Sequence, residues 1–205
     1  MTQPRYSLDS KPPERSRVVL LLIDIINDFD FPGSAAIRKR AALMAPRLLQ
    51  LKQKARAHGY AVVYVNDNFG RWRSNFNEQV DHCLESKARS RTLVEMLRPE
   101  PDDYFVLKPA HSGFYASALD LLLEHVGAET LILAGVATNI CVLFTASDAY
   151  MRGYQLFVPS DCVAANSERL SKGALRQMKT VLKANTGSSR TLPWKRFSSR
   201  KSRAR

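Results

Sequence analysis

The sequence predicts an α/β fold, a Rossmann-like doubly wound sheet of mostly parallel strands with helices on both faces. Near-continuous apolar runs predict strands that are buried on both faces, and segments with helical spacing lie between them. The 205 residues suit one domain, and no internal repeat is visible. The predicted strands cover residues 18–23, 61–66, 104–107, 130–133 and 154–158.

The helices are predicted from the spacing of apolar residues and from the glycines that end several of them. The clearest helix covers 115–126, where apolar residues recur at helical spacing up to Gly127. A long helix before the second strand contains Pro46, which predicts a break there. A sixth strand after the last helix is weakly indicated. The predicted helices cover 35–58, 78–97, 115–126, 140–152 and 167–184.

Composition divides the chain into a flexible N-terminal segment at 1–16, a domain at 17–192 and a basic, disordered tail at 193–205. The tail contributes to a net charge of +12, but no groove-reading motif accompanies it, so we expect no specific nucleic-acid partner. No apolar run reaches the roughly 18 residues that span a bilayer, so we expect no membrane contact. A polar N-terminus and three cysteines without an even disulfide set predict a cytoplasmic protein.

Three predicted strands end in residues with reactive or charged side chains. Asp24 follows the first strand, Lys108 the third, and Cys141 lies just after the fourth. Ligands of open parallel sheets bind outside the carboxyl ends of the strands, so these side chains are expected to meet. A thiol at a helix start is expected to favour the thiolate. Alternatively, Cys141 is a small buried hydrophobe, and Asp24 and Lys108 are solvated strand ends.

These segments resemble the isochorismatase-like cysteine hydrolases, a family that includes nicotinamidases and N-carbamoylsarcosine amidases. The resemblance runs from about 17 to 192 and is most specific at Asp24 with 27–29, at Lys108 with 112–114, and at 135–142. It implies the isochorismatase-like hydrolase fold, a homo-oligomer, and a catalytic triad of Asp24, Lys108 and Cys141. It also implies a cis peptide bond just before Ala137.

The resemblance implies hydrolysis of a C–N bond in a small amide or carbamoyl compound through a thioester. Cys141 is the predicted nucleophile, Asp24 carries its proton to the leaving nitrogen, and Lys108 holds positive charge near both. The backbone N–H groups of Ala137 and Cys141 are the predicted oxyanion hole, because their small neighbours allow close approach.

Metal and cofactor are not expected. Nicotinamidases place an Asp and two His just after the second strand, whereas 66–76 contains no histidine here, and the chain's four histidines are scattered. Ile26 stands where the family often has glutamine, which predicts a changed substrate contact. The side chains predicted to contact substrate are Phe29, Asn66, Trp72, Phe114 and Tyr115. Further candidates for binding amide, urea or carboxylate groups are Asn68, Arg71 and Arg73.

Two other functions remain open at this point. One is an isochorismatase proper, which cleaves a vinyl ether and does not use a cysteine nucleophile, so the context of Cys141 disfavours it. The other is a catalytically idle relative that serves as an interaction module through its basic tail. Loss of a triad residue would favour that function, and none is lost.

Overall fold

Parallel strands form one twisted sheet in the computed structural model, which describes residues 14–68, 75–85 and 90–199. The strand order is β3-β2-β1-β4-β5, and β6 pairs with the end of β4. The predicted α/β fold is confirmed. The strands are β1 (Val18–Ile23), β2 (Ala61–Asp67), β3 (Tyr104–Lys108), β4 (Thr130–Val136), β5 (Gln155–Phe157) and β6 (Val163–Ala164).

Helices cover both faces of the sheet. The first three pack on one face and the next three on the other. They are α1 (Ser34–Ala57), α2 (Phe76–Leu84), α3 (Arg91–Met96), α4 (Leu119–Val126), α5 (Leu143–Met151), α6 (Glu168–Thr180) and α7 (Trp194–Ser199), with a π-helical turn at Thr138–Val142. Among the described residues, no helix combines the length and apolarity needed to cross a membrane.

The central strand β1 shows why the apolar runs are continuous. Leu20 and Leu22 face the cluster under α1, whereas Val19 and Leu21 face the cluster under α4 and α5. Alternate residues of a strand point to opposite faces, and both faces are covered here. The strand is therefore fully buried, and its carboxyl end opens onto the loops that carry the candidate site.

Among the predicted elements that differ from the structure are α1, α4 and the sixth strand. Helix α1 runs through Pro46 without a break, because Pro46 lies on its exposed side while Ala45 and Leu48 hold it against the sheet. Helix α4 begins at Leu119, since the backbone at Ala116 has a positive φ of 46° and leaves the helical path. The sixth strand, Val163–Ala164, precedes α6 rather than following it.

The start of the predicted disordered tail is also different, because residues Trp194–Ser199 form helix α7. The Trp194 ring stacks on His58 with 5.2 Å between ring centroids, and Phe197 meets Phe157 edge-on at 5.0 Å. Both rings pack against the core cluster on the α1 face. The partial burial of these two aromatic side chains stabilises the helix in spite of its basic residues. The folded structure therefore extends past residue 192.

Candidate active site

Asp24, Lys108 and Cys141 lie together at the carboxyl edge of the sheet, as the sequence predicts. The Lys108 Nζ atom lies 3.0 Å from Asp24 Oδ2 and 3.6 Å from Cys141 Sγ. The Asp24 carboxylate lies close enough to the Cys141 thiol to interact with it. Lys108 is fully buried, Asp24 is 5% exposed and Cys141 is partly exposed. The arrangement joins an acid, an amine and an accessible thiol in one contact network.

The close approach of β1 and β4 fixes the separation of Asp24 from the cysteine turn. Gly135 pairs with Ile23, the residue before Asp24. A Cβ atom at Gly135 would lie 2.1 Å from the Ile23 carbonyl oxygen, and its φ of 121° is unfavourable for other residues. Glycine is therefore required where β1 and β4 bring Asp24 close to the turn that carries Cys141.

The turn that carries Cys141 is a π-helical turn rather than a regular helix start. The Val136–Ala137 peptide bond is cis, as the family resemblance implies. The Ala137 carbonyl oxygen accepts hydrogen bonds from the N–H groups of Ile140 at 3.0 Å and Val142 at 3.2 Å. Single π turns are frequent at functional sites. The predicted oxyanion hole, made of the Ala137 and Cys141 N–H groups, belongs to this same compact turn.

The loop after Lys108 is tied to the helix after Cys141. The Ser112 hydroxyl donates to the Asp148 carboxylate, and the Gly113 N–H donates to Thr145 Oγ1 at 2.9 Å. Asp148 and Thr145 both belong to α5. These two bonds fix the loop after β3 against α5. They therefore help to keep the ammonium group of Lys108 beside the sulfur atom of Cys141.

A fourth side chain, Asp67 at the end of β2, joins the network and was missed by the sequence analysis. Its Oδ2 atom lies 3.3 Å from Lys108 Nζ, and its backbone N–H donates to Asp24 Oδ1 at 2.7 Å. The strand register pairs Asp67 directly with Lys108. The sequence carries a signal that could have identified Asp67 as a site residue, because Asp67 follows an apolar run as Asp24 does.

The thiol of Cys141 is protonated in the resting site. Burial raises the pKa of Cys141 to about 12, and the charge of Asp24 adds to this effect while Lys108 opposes it. Burial also raises the pKa of Asp24, and Lys108 and the hydrogen bonds offset only part of that rise. The predicted resting thiolate is therefore wrong, because burial and a neighbouring carboxylate outweigh the helix-start effect.

The lysine remains charged in spite of its burial. Burial lowers the pKa of Lys108, but the carboxylates of Asp24 and Asp67 outweigh this effect and raise it above its usual value. A buried ammonium ion that is paired with carboxylates is stable, whereas an unpaired one would lose its proton. The site thus holds a permanent positive charge beside the sulfur atom.

Two predicted substrate contacts lie in places that do not support that role. Asn66 is fully buried and its amide nitrogen donates to the Ile26 carbonyl oxygen. Phe114 is 5% exposed, and its ring contacts Arg152 and Tyr154. Tyr154 precedes β5, so these contacts direct Phe114 toward the amino edge of the sheet, opposite the thiol.

The other predicted contacts differ in exposure. Phe29 is buried, and its N–H donates to Asn27 Oδ1 at 2.7 Å. Tyr115 is 63% exposed on the loop after Lys108. Trp72, Arg71 and Arg73 lie outside the described residues. Within the described ranges, no group of three His, Cys, Asp or Glu side chains has the geometry of a metal site.

The chain is similar in sequence to two bacterial proteins and in structure to an amidase. YaaI of Bacillus subtilis, an isochorismatase family protein, is 39% identical over 163 residues, which cover 80% of this chain and 89% of that protein. The ureidoacrylate amidohydrolase RutB of Azorhizobium caulinodans is 36% identical, covering 76% of this chain and 74% of RutB. The structure of N-carbamoylsarcosine amidase from Thermoplasma acidophilum matches with a TM-score of 0.67 and 27% identity, over 86% of this chain and 99% of that one.

The family model of the isochorismatase domain matches residues 18–188, a span that contains all the strands and the four side chains of the contact network. This match agrees with the motifs at Asp24, Lys108 and Cys141 and with the parallel sheet that brings them together. The chain belongs to the isochorismatase family.

Proposed function

We propose that this protein is a metal-independent cysteine hydrolase that cleaves a C–N bond of a small amide or carbamoyl compound through a thioester. The observation that carries the proposal is the contact of one partly exposed thiol with a buried carboxylate and a buried ammonium ion. A nucleophile beside a base, with a third group that orients the base, is the arrangement that covalent catalysis requires.

The proposed reaction begins with proton transfer from Cys141 to Asp24. The S–H bond breaks, an O–H bond forms on Asp24, and the sulfur atom attacks the substrate carbonyl carbon. The N–H groups of Ala137 and Cys141 bind the oxyanion, and such donors are worth about 3–4 kcal/mol each. The C–N bond then breaks as Asp24 returns the proton to the leaving nitrogen.

A water molecule completes the cycle. Asp24, again a carboxylate, removes a proton from water, whose oxygen attacks the thioester carbon. The C–S bond breaks and Cys141 recovers its proton. The acid product leaves with the substrate's acyl group, so one water molecule is consumed for each amine released. Lys108 stays protonated throughout and stabilises the negative charge as it moves between oxygen and sulfur.

The relatives support a substrate in which a carbonyl group is bonded to nitrogen. RutB is named for ureidoacrylate, and the structural relative is named for N-carbamoylsarcosine. Both names describe a carbonyl carbon between two nitrogen atoms. We therefore place ureido and carbamoyl compounds ahead of aromatic amides as substrates, with Tyr115 and Trp72 as the proposed contacts.

A panel assay for ammonia release tests this function. The panel contains ureido acids, N-carbamoyl amino acids, nicotinamide and simple aliphatic amides, each with and without EDTA. We expect turnover of at least one compound, unchanged by EDTA. Loss of turnover in EDTA that zinc or iron restores would contradict the metal-independent mechanism. Cleavage of a vinyl ether without any amide turnover would contradict the proposed bond specificity.

The cysteines also bear on where the protein works. All three are free in the structure, and Cys141 must be reduced to act as a nucleophile. Reduced thiols persist in the cytoplasm, where glutathione and thioredoxin keep disulfides rare. This supports the cytoplasmic location that the sequence predicts.

A further inference from the structure

Asp67 is the one carboxylate of the contact network that the proposed reaction does not use. It contacts both members of the buried ion pair, since its side chain reaches Lys108 Nζ at 3.3 Å and its backbone N–H reaches Asp24 Oδ1 at 2.7 Å. Its side chain is 29% exposed, whereas that of Lys108 is fully buried. Asp67 thus sits on the solvent side of the pair and touches both partners.

The ammonium ion of Lys108 has more acceptors than protons. An ammonium group has three N–H bonds. Four acceptors surround Nζ, namely Asp24 Oδ2 at 3.0 Å, the Ala110 carbonyl oxygen at 3.1 Å, Asp67 Oδ2 at 3.3 Å and Cys141 Sγ at 3.6 Å. The longest contact is the one to sulfur. In the resting site, the oxygen acceptors therefore hold the ammonium ion, and sulfur is the weakest partner.

We propose that Asp67 is a positioning residue, whose carboxylate holds the Lys108 ammonium ion between Asp24 and Cys141 while a proton moves from the thiol to Asp24. This inference rests on the proposed hydrolase function and deepens it. Asp67 neither gives nor receives the transferred proton.

The proton transfer explains why a second carboxylate is needed. When the S–H bond breaks and Asp24 becomes neutral, the negative charge moves from oxygen to sulfur. Asp24 then ceases to be an anionic partner of Lys108, although the ammonium ion must remain within reach of the new thiolate. Asp67 and the Ala110 carbonyl oxygen keep their contacts during this step, so Nζ can turn one N–H bond from Asp24 toward sulfur without losing its place.

The charged groups that act on Lys108 in the resting site are Asp24 and Asp67, and those that act on Cys141 are Asp24 and Lys108. Removal of the Asp67 charge leaves the ammonium ion less neutralised. A less neutralised cation stabilises a neighbouring thiolate more strongly. The Asp67→Asn variant should therefore form the thiolate of Cys141 at a lower pH than the parent protein, even though its catalysis is impaired.

The experiment measures the rate of iodoacetamide alkylation of Cys141 against pH, by mass spectrometry, in the full chain without substrate. Three variants are compared with the parent. Asp67→Asn removes the charge, Asp67→Glu keeps the charge but displaces it, and Asp120→Asn removes a carboxylate that pairs with Arg152 at 3.1 Å outside the site. Because no substrate is present, this measurement remains decisive even if the amide panel gives no turnover.

We expect the alkylation profile of Asp67→Asn to shift by about one pH unit to lower pH. The profiles of Asp67→Glu and Asp120→Asn should match that of the parent. With a substrate from the panel, kcat should fall about 10- to 100-fold in both Asp67 variants, because the ammonium ion is no longer held in place once Asp24 has accepted the proton. KM should stay within about threefold, since Asp67 is not proposed to bind substrate.

An unshifted alkylation profile in folded Asp67→Asn would overturn the proposal, and so would a parent-like kcat in that variant. A purely structural role for Asp67 would lower the melting temperature without moving the profile. If Asp67→Asn does not fold, Asp67→Glu decides the matter, because the proposal requires a reduced kcat with a parent-like alkylation profile. A parent-like kcat in Asp67→Glu would then contradict it.

Discussion

Lys108 and Asp24 form an ion pair with 3.0 Å between Nζ and Oδ2, and neither side chain has more than slight contact with solvent. Removing one partner of a buried pair leaves an uncompensated charge, which is more damaging than loss of an exposed salt bridge. The pair lies beside the sulfur atom of Cys141, so its charge balance also sets the reactivity of the thiol.

Lys108→Met should slow alkylation of Cys141 at neutral pH. Lys108 lowers the pKa of the thiol, so its removal raises that pKa further and leaves less thiolate. Turnover should fall at least about 100-fold. The measurement is the alkylation rate at fixed pH together with kcat/KM. A parent-like alkylation rate would show that Lys108 does not control the thiol.

The matched control is Lys52→Met. Lys52 is equally buried, and it pairs with Asp103 at 2.7 Å away from the site. Its loss should reduce the free energy of unfolding by about 3 kcal/mol, because Asp103 loses one of its partners. The alkylation rate of Cys141 should not change in this variant, which separates loss of a buried charge from loss of this particular charge.

Asp24→Asn should have the opposite effect on the thiol. The charge of Asp24 raises the pKa of Cys141, so the amide variant should be alkylated faster than the parent at neutral pH. Its turnover should nevertheless be lost, because an amide cannot carry the proton to the leaving nitrogen. Slower alkylation with retained turnover would contradict the role of Asp24 as proton carrier.

The dependence of kcat/KM on pH should be one-sided. The base must be ionised, and burial raises the pKa of Asp24, so activity should fall as pH decreases toward a value above the usual carboxyl range. The ammonium ion must be charged, and the pKa of Lys108 is raised, so activity should not decline on the alkaline side below about pH 10. An alkaline decline near neutrality, in protein that remains folded, would contradict this assignment.

Truncation after Leu192 should destabilise the protein, although the sequence alone predicts a dispensable tail. The truncation removes Trp194 and Phe197, which pack on His58, Tyr60 and Phe157. We expect a loss of about 2 kcal/mol and a fall in melting temperature of about 5 °C. A chain that stops after Ser199 is the control and should melt like the parent. Equal melting temperatures for all three would show that α7 does not stabilise the domain.

The proximity of Asp24, Lys108 and Cys141 could be predicted from the sequence because each residue directly follows an apolar strand or a short turn after one. Parallel strands bring their carboxyl ends together, so strand assignment alone was sufficient to join Asp24, Lys108 and Cys141. Asp67 satisfies the same condition, but its place opposite Lys108 depends on the register of β2 and β3. That register is set when the two strands pair in the folded sheet, so it could not be predicted from the sequence of either strand.

The protonation state of Cys141 could not be predicted from its local sequence. A helix-start position favours the thiolate, but the depth of burial and the distance to Asp24 are set by residues far away in the chain. Helix α7 was missed for a similar reason. Its basic residues suggest a solvated tail, whereas its two aromatic rings pack on His58 and Tyr60, between α1 and β2, and on Phe157 of β5.

The central claim is that Cys141 is the nucleophile, and ammonia release by Cys141→Ala tests it most directly, with whichever compound the panel identifies. We expect turnover to fall by several orders of magnitude while the free energy of unfolding changes by about 2 kcal/mol or less. Cys83→Ala, which removes a buried thiol from the core outside the site, should keep its turnover. Near-parent ammonia release by folded Cys141→Ala would contradict the account.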